Sequence, residues 1–330
     1  MLNVAFFCDL EPIFQSVYDP TRRARIAADC AMHPVVVTSQ NLEAQLPALA
    51  DVQVIFSTWG MPALTAAQLA RLPSLRAVFY AAGTVKAFAT PILEKGITLV
   101  SAWAGNAVPV AEFTLSQILL ANKGYFRNCR ACTSAAGREQ AFRGAGNYEQ
   151  TVALLGAGMI GRKVIELLQP FRLQIIVFDP FLSAEAAAQL GVEKVSLDEA
   201  FTRGQVVSNH LANVPETCGL LQRTHFAAMR ENAVFINTGR GATVVEAEMI
   251  EVLRRRPDLS ALLDVTEPEP PLPDSPLYTL PNVFLSSHIA GSMGTEVLRM
   301  ADLMLEEFQS WRAGQPLRYA VSLEMLKTMA

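Results

Sequence analysis

Charge is scarce in this chain. Asp, Glu, Lys and Arg make up 18% of its 330 residues, against a usual share of about 25%. The 27 basic and 31 acidic residues leave a formal charge of -4. A nucleic-acid surface needs dense Lys and Arg; the tight basic cluster here, Arg254–Arg255–Arg256, reads as the basic end of a helix. Long apolar runs are missing too. The stretch Gly96 to Ala111 is free of charged residues, but its sixteen residues are interrupted by Pro109 and too few for a bilayer span. The opening MLNVAFFCDLEP has no basic flank and meets Asp9 inside its apolar run, so it reads as a first strand rather than an export signal. Cysteine is sparse and odd in number, five in all, which argues against a disulfide framework. Cys129 and Cys132 have no second Cys or His pair nearby to complete a tetrahedral site, so they read as helix or core positions rather than metal ligands. These absences point to the reducing cytoplasm, with neither membrane nor nucleic acid as partner.

What is present is enough apolar residue, 51%, for a compact globular chain. At about 150 residues per domain, this length makes roughly two domains. Over the first hundred residues, short apolar runs at Val4–Cys8, Val35–Val37, Val52–Phe56, Leu75–Phe79 and Ile97–Val100 alternate with helical stretches at Thr21–Cys30, Leu42–Leu49 and Thr65–Arg71. That is the βα alternation of a parallel sheet covered on both faces. A long, mostly apolar helix follows at Asn106–Asn122, then a polar, glycine-containing stretch through Gln150.

The alternation restarts with Val152–Leu155, Gln174–Phe178, Val206–Ser208, Val234–Asn237, Leu259–Leu263 and Val283–Ser286. Helices are expected at Met159–Leu168, Ala184–Leu190, Thr224–Met229, Val244–Arg255 and Met293–Phe308. Thr243 and Glu246 have the spacing of a capping box. The fold class is therefore α/β, with two Rossmann-like parallel sheets.

Between the strand TVALL and the following helix lie Gly156, Gly158 and Gly161. In a dinucleotide loop the first glycine makes the tight turn, the second lets backbone approach a pyrophosphate, and the third lets helix and strand pack closely. The helix N-terminus then offers free N–H groups to the phosphates. The next strand ends in Asp179, eighteen residues after Gly161, where a carboxylate accepts from ribose hydroxyls and repels a 2′-phosphate. Pro180, Phe181 and Leu182 follow without an Arg. NAD is accordingly the expected cofactor, and Arg162 or Arg203 folding into that corner is the route by which NADP would be accepted.

Three chemically capable residues fall just beyond strand ends in this second half: Arg240, Glu269 and His288. Parallel strands put those ends on the edge that carries the glycine loop. Imidazole titrates near neutrality and so serves as a base for an alcohol and as an acid for a ketone. A neighbouring Glu holds the ring in one tautomer and stabilises its protonated form. Arg presents a two-pronged donor to a carboxylate, and Gly239 and Gly241 remove bulk around it. His210 faces the same edge and is a candidate contact to the nicotinamide ribose, whereas His33 and His225 read as structural.

These motifs resemble the D-isomer-specific 2-hydroxyacid dehydrogenase family: LLGAGMIG, PETCGLL, INTGRGATV, LLDVTEPEPP and LPNVFLSSHIAG occur in order, with YAAG and AGNAVPVAE in the first half. The resemblance implies a nucleotide-binding domain, residues 104–290, inserted into a split substrate domain of residues 1–103 and 291–330, and a homodimer. It implies that Arg240 binds a small carboxylate-bearing substrate, that His288 is the acid–base residue and that Glu269 orients it. Gly156, Gly158, Met159, Ile160, Gly161, Asp179, His210, Thr238 and Asp264 form the implied cofactor set, Asp264 as a nicotinamide-carboxamide contact. Ala82 and Gly83 resemble backbone donors for the substrate carboxylate, and Trp59 is a candidate apolar wall.

Three departures from the family pattern stand out. Gly83, Thr84, Val85 and Lys86 stand where an Asp is common, Ala212 and Asn213 follow His210 and Leu211 where a proline is common, and Ser286–Ser287 replaces Thr-Pro. The expected reaction is hydride transfer between NAD(H) and a D-2-hydroxy acid/2-keto acid pair. An NAD-responsive interaction protein and a formate-dehydrogenase-like enzyme are the alternatives on this scaffold, the latter disfavoured because formate has no hydroxyl to deprotonate.

Overall fold

Strands Val54–Ser57, Ala77–Tyr80, Val206–Asn209, Val234–Asn237 and Ser260–Leu263 are buried at every position. Such strands need a layer on each face, which helical crossovers of a parallel sheet supply. A computed structural model of the chain describes residues 1–141 and 144–327. It packs as two compact units, Met1–Asn106 with Ser292–Ala330, and Ala107–Gly291. The last three residues of the expected 291–330 segment lie outside the described residues.

The first unit holds β1 (Leu2–Phe7), β2 (Cys30–Met32), β3 (Val54–Ser57), β4 (Ala77–Tyr80) and β5 (Thr98–Ser101), in the order β2-β1-β3-β4-β5, all parallel. One face is packed by aromatics. Phe56 stacks on Phe79 at 5.5 Å between centroids, and Phe308 meets both rings edge-on. Phe308 belongs to the helix Val297–Arg312, which buries Met300, Met304 and Phe308, so a C-terminal segment completes the first unit's core.

The second unit holds β6 (Thr151–Leu155), β7 (Gln174–Phe178), β8 (Glu193–Lys194), β9 (Val206–Asn209), β10 (Val234–Asn237), β11 (Ser260–Leu263) and β12 (Val283–Leu285). Their order is β12-β11-β10-β9-β6-β7-β8, again parallel throughout. The direction of winding reverses between β6 and β9, and this switch point is where such sheets bind ligands, outside the carboxyl ends of the strands.

The structure departs from the sequence expectations at definite places. No strand forms at Val35–Val37; β2 lies earlier, at Cys30–Met32, paired with Leu2–Val4. Pro34 has no N–H to donate, so the ladder stops after His33 donates to Val4, and only Val37 rejoins as a single bridge to Phe7. The capping box at Thr243 and Glu246 does not form. Val245 is the N-cap of the helix Glu246–Arg255, and Thr243 closes a preceding 3-10 turn with its hydroxyl engaged elsewhere. The polar stretch after Asn122 contains the helices Tyr125–Ala131 and Ala135–Ala141. β8 escaped notice because it is two exposed charged residues.

Candidate active site

The glycine loop after β6 is shaped by backbone approach. Gly156 has φ +99°, and a Cβ there would meet the His210 carbonyl oxygen at 2.8 Å; one on Gly161 would lie 2.1 Å from the Gly156 oxygen. Around a Cβ built on Gly158, by contrast, nothing lies within 4 Å. Gly158 is also the N-cap of the helix Met159–Leu168, and no side chain caps that end. The first-turn N–H groups, including those of Met159 and Ile160, thus face an open approach suited to a phosphate. Met159 is exposed, while Ile160 packs partly against the core.

Asp179, past the end of β7, accepts from the amides of Ala157 at 2.7 Å, Phe181 at 2.7 Å and Leu182 at 3.1 Å. It pins the loop, and the carboxylate's remaining lone pairs can accept ribose hydroxyls. Neither basic candidate is turned to a second phosphate. Arg162 donates Nε to the Ala157 carbonyl at 2.9 Å, and Arg203 makes a bidentate pair with Glu193 at 2.7 Å.

His210 follows β9. Its ring is buried and uncharged at neutral pH, since loss of hydration pulls its pKa down to about 4. Nε2 lies 3.0 Å from the Ser208 hydroxyl, whereas Nδ1 is buried without a partner among the described residues. That nitrogen keeps its hydrogen-bonding capacity beside the open glycine cradle. These residues therefore fit a dinucleotide.

Arg240 follows β10. Gly241 beside it is required by close packing, because a Cβ there would fall 2.1 Å from the Thr266 carbonyl group on the neighbouring loop. Arg240 donates Nη1 to the Gly239 carbonyl at 2.7 Å and, among the described residues, makes no ion pair. Burial pushes its pKa below the ordinary guanidinium value, with the nearby Glu269 carboxylate acting in the opposite direction. A charged, desolvated guanidinium without a partner carboxylate is prepared to take one from a substrate.

His288 and Glu269 meet as the residue types demand, Nδ1 to Oε1 at 2.6 Å, with both side chains about half exposed. His288 has φ +59°, a left-handed conformation that costs a non-glycine residue about 1–3 kcal/mol. Its loop is held by Asp264, which accepts from the Ser286 hydroxyl at 2.5 Å and from the amides of Ile289 and Ala290, each at 2.9 Å. The buried Asp264 carboxylate thus positions the histidine loop. A cavity of about 700 Å³ opens between Asp264, Glu269, Tyr278 and His288.

Thr238 is buried, with its hydroxyl 3.0 Å from that of Thr114 on the helix Trp103–Asn122. His33 is bonded to Gln45, and His225 accepts from the Gln222 amide while packing on Phe201. In the first unit, Ala82 donates its amide to the Tyr80 carbonyl at 2.9 Å, while the Ser101 hydroxyl donates to the carbonyls of Ala82 and Gly83. Trp59 packs partly buried against the apolar clusters on both faces of that sheet.

Sequence reasoning passed over Asn209, Asn237 and Thr243, which form a buried network beneath Arg240. The available signal was an Asn ending each of two buried strands, VVSN and VFIN. Cys129 and Cys132 are exposed and unpaired as a disulfide, and among the described residues no group of three or more His, Cys, Asp or Glu could hold a metal. No described helix is long and apolar enough to cross a membrane.

The family model described as "D-isomer specific 2-hydroxyacid dehydrogenase, NAD binding domain" matches residues 115–290. D-3-phosphoglycerate dehydrogenase of Archaeoglobus fulgidus is 30% identical over 234 residues, which take in 71% of this chain and 44% of that protein. The Methanocaldococcus jannaschii protein of the same name is 32% identical over 215 residues, 65% of this chain and 41% of its own. The chain thus spans less than half the length of these relatives. Among solved structures, a phosphoglycerate oxidoreductase from Rhizobium etli superposes with TM-score 0.80 at 22% identity, covering 98% of this chain and 99% of that one. The apo D-mandelate dehydrogenase of Rhodotorula graminis superposes with TM-score 0.77 at 20% identity, covering 97% of each chain. At these identities the superpositions show the fold.

Proposed function

The chain belongs to the D-isomer specific 2-hydroxyacid dehydrogenase family, and on that premise we propose that it interconverts a D-2-hydroxy acid and its 2-keto acid with NAD as cofactor. The observation that carries this reading is the 2.6 Å contact of His288 Nδ1 with Glu269, on the same sheet edge as an ion-pair-free Arg240 and an open glycine cradle.

NAD, when bound, supplies the hydride carrier. Gly158 and the uncapped start of the helix Met159–Leu168 would hold its phosphates, Asp179 its ribose, and His210 would use the otherwise unpartnered Nδ1 toward it. Because Glu269 occupies Nδ1 of His288, Nε2 is the nitrogen that faces substrate. It takes the hydroxyl proton when the alcohol is oxidised and returns it to the carbonyl oxygen when the ketone is reduced. Glu269 keeps the ring in the tautomer with a free Nε2 lone pair and stabilises the imidazolium that follows. Arg240 binds the carboxylate and fixes the reacting carbon relative to His288.

The test is NADH oxidation with a panel of 2-keto acids of increasing bulk, namely glyoxylate, pyruvate, hydroxypyruvate and phenylpyruvate, with the product resolved by chiral chromatography. Turnover to the D-product supports the proposal. Tight NADH binding without turnover of any of the four would contradict it and favour the interaction-protein alternative.

A further inference from the structure

Arg240 lies on a loop whose backbone is held from below by buried side chains. Asn209, at the end of β9, donates Nδ2 to Asn237 Oδ1 at 3.0 Å and to the Thr243 hydroxyl at 2.8 Å. The Thr243 hydroxyl donates to the Arg240 carbonyl at 2.8 Å, and Asn237 Nδ2 donates to that same carbonyl at 3.2 Å. Asn237 Oδ1 accepts in addition from the Gly239 amide at 3.1 Å. Asn209 and Thr243 are fully buried, and Asn237 is 1% exposed.

The network reaches the neighbouring loop as well. Asn209 Oδ1 accepts from the Leu211 amide at 3.2 Å, one residue beyond the histidine whose carbonyl abuts Gly156. One side chain therefore ties together the turn beside the glycine cradle and the turn bearing the guanidinium. Every side-chain polar atom of Asn209 and Thr243 has a partner. A satisfied buried network of this kind admits one arrangement and resists partial loosening. Apolar side chains would fill the same space without aiming anything.

We propose that Asn209, acting with Thr243, is a positioning device that sets the Arg240 backbone for carboxylate binding and couples it to the cofactor-side turn at His210–Leu211. This rests on the reading of Arg240 as the substrate clamp. A guanidinium that must meet a carboxylate bidentately tolerates little displacement, since a shift of about 1 Å at a reacting site costs on the order of 100-fold in rate. Among the described residues the Arg240 side chain makes one hydrogen bond, to the Gly239 carbonyl, so its backbone anchor sets where the fork can reach.

Two variants separate the functions. Thr243→Val keeps the shape and removes the hydroxyl, so the Arg240 carbonyl loses the shorter of its two side-chain donors and keeps Asn237 Nδ2, while the Asn209 bond to Leu211 stays. Asn209→Ala releases both turns. With the panel's best 2-keto acid, Thr243→Val should lower kcat/KM about 10-fold with NADH affinity unchanged, and Thr243→Ser should restore it. Asn209→Ala should lower kcat/KM at least as far and also weaken NADH binding several-fold. In an Arg240→Ala background, Thr243→Val should add no further loss, because the group it positions is gone. Wild-type kcat/KM in Thr243→Val, or an equal fractional loss with and without Arg240, would overturn the positioning role while leaving the clamp intact. Full activity of Arg240→Ala would overturn the clamp itself, and the inference with it.

Discussion

At the carboxyl edge of the first unit's sheet, the Cys8 thiol donates to the Trp59 carbonyl at 3.1 Å, the Thr58 hydroxyl to the Ala81 carbonyl at 2.9 Å, and the Ser101 hydroxyl to the Ala82 carbonyl at 2.9 Å. Neutral donors there satisfy loop carbonyls. A Cβ on Gly60 would meet Leu10 Cγ at 2.9 Å, so that loop is closed by an apolar side chain. At the same edge of the second sheet, loops after successive strands carry Asp179, His210, Arg240, Asp264, Glu269 and His288 around a glycine turn with open space at Gly158. The strand order of each sheet has a single reversal. Parallel architecture thus supplies an edge where loops gather, and the side chains on those loops decide whether the edge can move a proton or bind a charge.

The comparison breaks most visibly at Arg240. Arg240→Ala should cost about 2–5 kcal/mol of transition-state stabilisation toward a 2-keto acid, raising KM and lowering kcat, as read by steady-state kinetics. An unchanged kcat/KM would mean that the second edge carries no carboxylate clamp. A smaller effect concerns His210. Its folded pKa, about 4, lies below the ordinary value of about 6.5, so the unfolded chain binds the extra proton. Stability from this residue is complete above about pH 6.5 and falls as pH drops toward 4. At pH 5 the loss comes to about 2 kcal/mol by linkage. Urea unfolding at pH 7 and pH 5 should show that decrement in the wild type and its absence in His210→Gln; equal decrements would place the ring in contact with water.

Asp179 sharpens the contrast least. Asp179→Ala should weaken NADH about 10-fold, or about 1.4 kcal/mol, and NADPH less, because a carboxylate that repels a 2′-phosphate has gone. Nicotinamide fluorescence titration reads both. An unchanged ratio of the two affinities would assign Asp179 to holding the amides of Ala157, Phe181 and Leu182 alone.

Much of this second edge was legible in the amino-acid sequence, because its signals are local. Gly156 and Gly158 sit between an apolar strand and a helix whose first turn holds Gly161, and Arg240, Glu269 and His288 each follow an apolar run. What escaped was decided by distant partners. Thr243 has the spacing of a capping residue, yet Asn209, thirty-four positions earlier, and the Arg240 carbonyl compete for its hydroxyl and win. The sequence points to Asp264 as a cofactor contact and says nothing of its further role, gathering three donors from the loop of His288, a convergence set by β11 and β12 lying side by side. In the first sheet, Val35–Val37 has strand composition, but Pro34 interrupts the ladder and Cys30–Met32 takes the pairing.

His288→Ala, examined for binding and turnover in the same preparation, puts the central claim to its most direct test. Removing the imidazole leaves the glycine cradle and Asp179 in place, so NADH should bind with wild-type affinity. Reduction of the 2-keto acid and oxidation of the hydroxy acid should both fall by about 10²–10⁴-fold, the usual contribution of a positioned acid–base group. NADH binding with wild-type turnover in either direction would show that His288 is not the proton-transfer group and that the chemistry does not reside in the His288–Glu269 pair.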